Sequence, residues 1–132
     1  MRFFFDNNVP LNIARGLREL EPAASSVDIV HCRERWPPLG QIDDIDWIPE
    51  VTAEERTIIT FDRRILTNPL ERKAYQDAGA TLLVPARSVL KSGYWDKVVW
   101  LVRRWTDIKD WVENERTPGA YQVQASGRVR SC

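Results

Sequence analysis

Residues 2–8 read Arg-Phe-Phe-Phe-Asp-Asn-Asn, and the three consecutive phenylalanines limit what the chain can become. Side chains alternate across a strand, so a strand with one wet face would expose at least one of the three rings. The run therefore predicts a strand covered on both faces, as in the centre of a parallel sheet. It stops at Asp6, its first acid. Asn7, Asn8 and Pro10 then turn the chain into a helix over residues 10–20, with Ile13, Leu17 and Leu20 at helical spacing. An acid at the carboxyl end of a buried parallel strand lies where open α/β sheets keep their ligands.

The rest of the chain alternates in the same way. Residues 27–31 predict a second strand, ending at His31, and residues 33–41, with Pro37, Pro38 and Gly40, predict an irregular loop. Asp43, Asp44 and Asp46 open a helix running to about residue 55, in which Pro49 is expected within the first turn. Residues 57–61 are β-branched and predict a third buried strand, which ends at Asp62 as the first ended at Asp6. Asn68-Pro69-Leu70-Glu71 has the form of a capping box, and its helix should stop at Gly79. Residues 81–84 predict a fourth strand. Strand and helix alternate four times, which implies an α/β fold with a parallel sheet and helices on its faces. Residues 94–113 predict a long amphipathic helix with Trp95, Val98, Val99, Val102, Trp105, Ile108, Trp111 and Val112 on its buried stripe. Residues 117–132, with Pro118, Gly119 and Gly127, read as a mobile tail.

Composition sets the remaining bounds. A length of 132 residues suits one domain, and a hydrophobic fraction of 43% is enough for a real core. The net charge is zero, which excludes a highly basic nucleic-acid coat but not a local basic patch. Fifteen of the basic residues are arginines, which suit phosphate and carboxylate forks alike. Cys32 and Cys132 have no zinc-ligand spacing, and His31, the single histidine, has no partner ligands, so it reads as structural. No apolar run has transmembrane length and no secretory leader is evident, so no membrane partner and a reducing cytoplasm are expected.

Asp6 and Asp62 thus end two parallel strands, and the Asp43, Asp44 and Asp46 group opens a helix between them in sequence. Taken singly, each suits a turn or a helix cap. Gathered on one sheet edge they would repel one another unless a cation sat among them, and oxygen-only ligands suit Mg²⁺ or Mn²⁺.

These blocks resemble the PIN-like nuclease superfamily, in particular its small VapC-type toxin branch. The resemblance covers roughly residues 1–85 and is carried by Phe-Phe-Phe-Asp6-Asn-Asn, Asp44-Ile-Asp46-Trp47-Ile48-Pro49, Ile-Ile-Thr-Phe-Asp62-Arg63-Arg64 and Asn68-Pro69-Leu70-Glu71-Arg72. It implies a three-layer α/β/α sandwich over residues 1–116, with a central parallel sheet of about four strands and a C-terminal amphipathic helix. It also implies Mg²⁺ or Mn²⁺ held by clustered acids, cleavage of RNA, and neutralisation by a cognate antitoxin. Carried over residue by residue, Asp6, Asp44 and Asp62 look like catalytic metal ligands, with Asp46 as the alternative middle acid. Asn7, Asn8, Arg63 and Arg64 look like substrate-binding positions, the two arginines being equally suited to surface ion pairs. The chain departs from the family pattern just after Asp62, where Arg63 and Arg64 stand and a fourth acid is missing; Glu71 and Asp77 are the candidates for it.

Two further readings stay open on the residues. The tryptophan-rich stretch from Trp95 to Trp111 suits a module that works by binding an antitoxin or a second copy as a homodimer, with weak or no catalysis. A phosphatase of the haloacid-dehalogenase type also places an Asp after its first strand, but it needs a second Asp two residues on, where this chain has Asn8.

Overall fold

A computed structural model describes all residues, 1–132. In chain order it contains β1 (Arg2–Phe5), α1 (Leu11–Leu20), β2 (Asp28–His31), α2 (Cys32–Arg35), α3 (Asp44–Ala53), β3 (Arg56–Ile59), a 3₁₀ turn (Arg63–Leu66), α4 (Pro69–Ala78), β4 (Thr81–Pro85), α5 (Arg87–Leu90), α6 (Tyr94–Glu115), β5 (Gly119–Val123) and β6 (Val129–Ser131). They build one six-stranded sheet in the order β2-β1-β3-β4-β5-β6. The first five strands are parallel and β6 runs antiparallel to β5.

The three phenylalanines account for the layering. All are fully buried, and β1 is flanked by β2 and β3. Phe3 and Phe5 join Ile13, Leu17, Leu101, Trp105 and Ile108 of α1 and α6 in one core. Phe4 points the other way, into a second core with Trp47, Ile48, Val51 and Tyr75 of α3 and α4. Phe3 meets Trp105 and Phe4 meets Trp47, each at 4.7 Å between ring centroids. Fully burying each such ring contributes on the order of 2–3 kcal/mol. The result is a helix–sheet–helix sandwich with a core on each face of the sheet.

Four expectations need correction. Residues 117–132 are not a tail: β5 pairs along the whole of β4, β6 folds back on β5, and Val123 is buried. Trp111 packs on Tyr121 at 4.6 Å, which fastens the hairpin to α6. The sheet therefore has six strands rather than about four. The stripe on α6 is wider than the sheet can cover. Trp105, Ile108 and Val112 are buried, but Trp95, Val99 and Val102 lie on an arc turned away from the sheet, and Trp95 is 73% exposed. Residues 33–41 are not wholly irregular, because Cys32–Arg35 make one helical turn. His31 caps that turn by accepting the Arg33 N–H on Nδ1, and its Nε2 bonds the Val9 carbonyl at 2.6 Å, so the buried histidine is structural. Finally, Pro49 lies one turn deeper in α3 than expected, since the helix starts at Asp44. Ile45, whose carbonyl the proline leaves without its helical partner, is an exposed residue.

No helix is long and apolar enough to cross a membrane.

Candidate metal and nuclease site

Parallel strands end on one edge of the sheet, and β1 and β3 lie side by side. The residues just beyond their carboxyl ends are therefore neighbours. Asp6 follows β1 and is only 5% exposed. Its carboxylate is tied down by three donors: the Asn7 N–H at 2.6 Å, the Thr60 hydroxyl at 2.8 Å and Asn8 Nδ2 at 3.1 Å. Even so, its carboxyl is pushed up to about 6, first by burial and then by the charge of Asp44, with a smaller push from Asp62. The Thr60 and Asn7 hydrogen bonds act in the opposite direction.

Asp44 is the first residue of α3, and the indole N–H of the buried Trp47, one turn on, donates to its Oδ1 at 2.8 Å. Asp62 caps the 3₁₀ turn by accepting the Arg64 N–H at 2.9 Å. The Arg64 guanidinium also forks onto both Asp62 oxygens, with Nη2 at 2.7 Å from Oδ2, and so holds this carboxyl below its usual range.

Glu71, one of the two candidates for a fourth acid, feels the charge of Asp44. In a full capping box its side chain would reach back to the Asn68 N–H. That N–H instead bonds the Arg64 carbonyl, while the Asn68 side chain caps Leu70 and Glu71 as expected. Half of the box forms, and the Glu71 carboxyl is free for another role. It is pushed up to about 7, first by burial and then by the charge of Asp44; Asp62 and Asp6 add to the rise. Asp77, the other candidate, pairs with Lys73 on the surface of α4. Asp46 is exposed beside Asp43 along an outer groove, and it is not among the charges that raise Asp6 or Glu71.

The structure thus brings Asp6, Asp44, Asp62 and Glu71 into one electrostatic cluster drawn from four elements. Sequence reasoning did not single out Thr60 or Trp47, which orient Asp6 and Asp44. The Thr-Phe-Asp order carried a signal for Thr60, because residues two apart on an extended segment share a face. Asn8 orients an acid rather than standing free for substrate: its amide is spent on Asp6, on Thr60 and on accepting the Phe61 N–H. Asn7 Oδ1 accepts from Arg33 Nε at 2.9 Å. Arg63 reaches Gln122 on β5 at 3.3 Å. Of the two arginines, Arg64 is the ion-pair partner.

The donor types, carboxylates with no sulfur or imidazole, are those that suit a hard divalent cation. No three acidic, histidine or cysteine side chains yet converge on a single point closely enough to ligate an ion.

No curated protein and no solved structure matches the chain. Residues 1–87, about two thirds of the sequence, match a family model described as a PIN-like domain, and that span holds Asp6, Asp44, Asp62 and Glu71. With the six-stranded α/β/α architecture and acids ending adjacent parallel strands, this match means that the chain belongs to the PIN-like domain family.

Proposed function

We propose that the protein is a metal-dependent endoribonuclease acting as the toxin of a type II toxin–antitoxin pair in the cytoplasm. The observation that carries the nuclease reading is Glu71. It forgoes the capping contact to join Asp44 and Asp6, completing a set of like charges that costs stability unless a cation is bound there. Asp6, Asp44 and Glu71 would hold Mg²⁺ or Mn²⁺, with Asp62 joining them when Arg64 lets go. When bound, such an ion supplies a water of lowered pKa and neutralises charge on the phosphate. The chain's own residues do the rest. Thr60, Asn8 and Trp47 fix the carboxylates before substrate arrives, so little reorganisation is left for the reaction. Arg64 is exposed, and on trading Asp62 for a phosphate oxygen it would both open the fourth ligand and clamp the substrate. Water attacks phosphorus, the bond from phosphorus to the 3′ oxygen breaks, and the products carry a 5′-phosphate and a 3′-hydroxyl.

The test is cleavage of a labelled total-RNA pool with Mg²⁺, with Mn²⁺ and with EDTA, beside Asp62→Asn. Cuts that need metal and vanish in the variant support the reading. Intact RNA under every metal, from a protein shown to be folded, refutes it.

The second reading, a module that acts by holding a partner, is favoured by the groove between α1 and α6. Leu20, Trp95 and Val102 are exposed there beside Ile13 and Leu17. An apolar segment of the antitoxin is the occupant proposed. Co-expression with the adjacent reading frame, followed by Trp95→Asp, tests it: a complex that survives the charge contradicts it.

A further inference from the structure

A cleft of about 290 Å³ adjoins the acid cluster and is lined by Asn8, Pro10, Phe61, Leu90, Tyr94 and Lys97. It is joined to the cluster through one side chain. Asn8 donates to Asp6 and Thr60 from Nδ2 and accepts the Phe61 N–H at 2.8 Å on Oδ1, so the cleft and the carboxylates are fixed to each other. Phe61 itself lies between Thr60 and Asp62 in the chain. Its ring packs on the core beneath and pairs with no other aromatic ring. Tyr94 is 43% exposed, and Lys97 is half-buried without a carboxylate partner. Both belong to the first turn of α6, which is capped by Gly93 and also carries the acid Asp96.

Beside a set of carboxylates this is an unusual lining. It combines aromatic surface with one unpaired ammonium. An unpaired nucleotide has the matching chemistry, a flat π-face followed by a phosphate. Resting on the nuclease reading, we propose that this cleft is a subsite for one unpaired nucleotide of single-stranded RNA, next to the phosphate that is cut. The base lies against Tyr94 and Phe61. The phosphate beyond it meets Lys97. A base inside an A-form duplex keeps its stacking neighbours and has no face to offer, so the subsite selects loops and single strands.

The experiment measures binding of a short labelled single-stranded RNA, and of a duplex of the same sequence, to full-length protein carrying Asp44→Asn, so that the RNA survives. Adding Tyr94→Ala should weaken single-strand binding about tenfold, and adding Tyr94→Phe should leave it unchanged. Adding Lys97→Ala should weaken it and lower the salt dependence by about one counterion. Duplex binding should be weak and insensitive to all three. Single-strand binding that ignores both Tyr94→Ala and Lys97→Ala, from a protein whose wild type cuts RNA, overturns the subsite and leaves the nuclease reading standing. Wild type that neither binds nor cuts RNA removes both.

Discussion

At the amino ends of the strands Arg56 is almost fully buried, yet every part of its guanidinium has a partner. It meets Asp28 and Glu54 at 2.8 Å each and donates to the Phe3 carbonyl at 3.1 Å. Arg35 closes the network on Glu54 and Glu50, and Glu54 is held down to about 2 by its two arginines. At the carboxyl ends of the same strands several acids are left without a paired cation. Asp6 and Glu71 are pushed up to about 6 and about 7, and only Asp62 has a cation of its own. One sheet therefore ends in a balanced network and in an unbalanced cluster. Desolvation raises the carboxyls at both ends and is the largest cause at Asp6 and Glu71, where the neighbouring acids add to it; at Glu54 the paired arginines outweigh it. A pole built for stability pairs its charges, whereas one left unpaired stores repulsion that a ligand can relieve.

The largest expected break of this contrast is at the carboxyl pole. Asp6→Asn, or Glu71→Gln, should lower RNA cleavage by about a hundredfold or more, as loss of a preorganised charge at a reacting phosphate does. The same Asp6→Asn should leave the metal-free protein at least as stable as wild type, since it removes a buried charge that its neighbours repel. Urea unfolding in EDTA checks this, and a clear loss of stability would contradict the comparison. At the amino pole Arg56→Leu should do the reverse. It should cost about 2–4 kcal/mol, because a buried, fully partnered cation is removed and its carboxylates are stranded, while cleavage per folded molecule stays unchanged.

Acid should act on the two poles with opposite sign. Asp6 has a folded pKa raised above its ordinary 3.8, so its contribution favours folding at low pH and is lost as pH rises through about 6. Glu54 has a folded pKa depressed below 4.5, so its contribution is present above that pH and is lost as pH falls toward about 2. Metal-free protein should therefore gain stability between pH 7 and pH 5 and lose it below about pH 4. The Glu54 share is about 1–2 kcal/mol once solvent screening of a partly exposed group is allowed for. Asp6→Asn should reduce the gain to the share of Glu71, whose carboxyl is also raised, and keep the loss. A smaller effect is expected at Thr60, where Thr60→Val should weaken metal binding or cleavage about tenfold with little change in fold, since it frees Asp6 from one orienting donor. Smallest is Arg64→Ala, which should tighten metal binding a few-fold while raising KM for RNA; titration calorimetry and initial rates separate the two.

Much of this was legible in the sequence because it is local. Three aromatics in a row forced a doubly covered strand, and the positions of Asp6 and Asp62 followed from where apolar runs stop. The hairpin of β5 and β6 was not legible. Ala120 to Val123 is a short run of mixed polarity, and its stability comes from pairing with β4 across an intervening helix. Glu71 was visible only as a capping residue or as a possible fourth acid. The choice was decided by the Arg64 carbonyl, which takes the Asn68 N–H that Glu71 would otherwise have bonded. Asp46 does not share the placement of Asp44, because residues two apart on a helix point to nearly opposite sides, and only one of them can face the sheet edge.

The central claim is that the carboxyl pole is built to receive a divalent cation. Thermal unfolding of wild type, Asp6→Asn and Glu71→Gln, each in EDTA and in Mn²⁺, tests it without requiring any RNA. Mn²⁺ at about a hundred times its Kd should stabilise wild type by about 2.7 kcal/mol, and both variants should show little or none of that gain. Unfolding of wild type that is indifferent to Mn²⁺ and Mg²⁺, or a metal response that survives in both variants, would contradict the account.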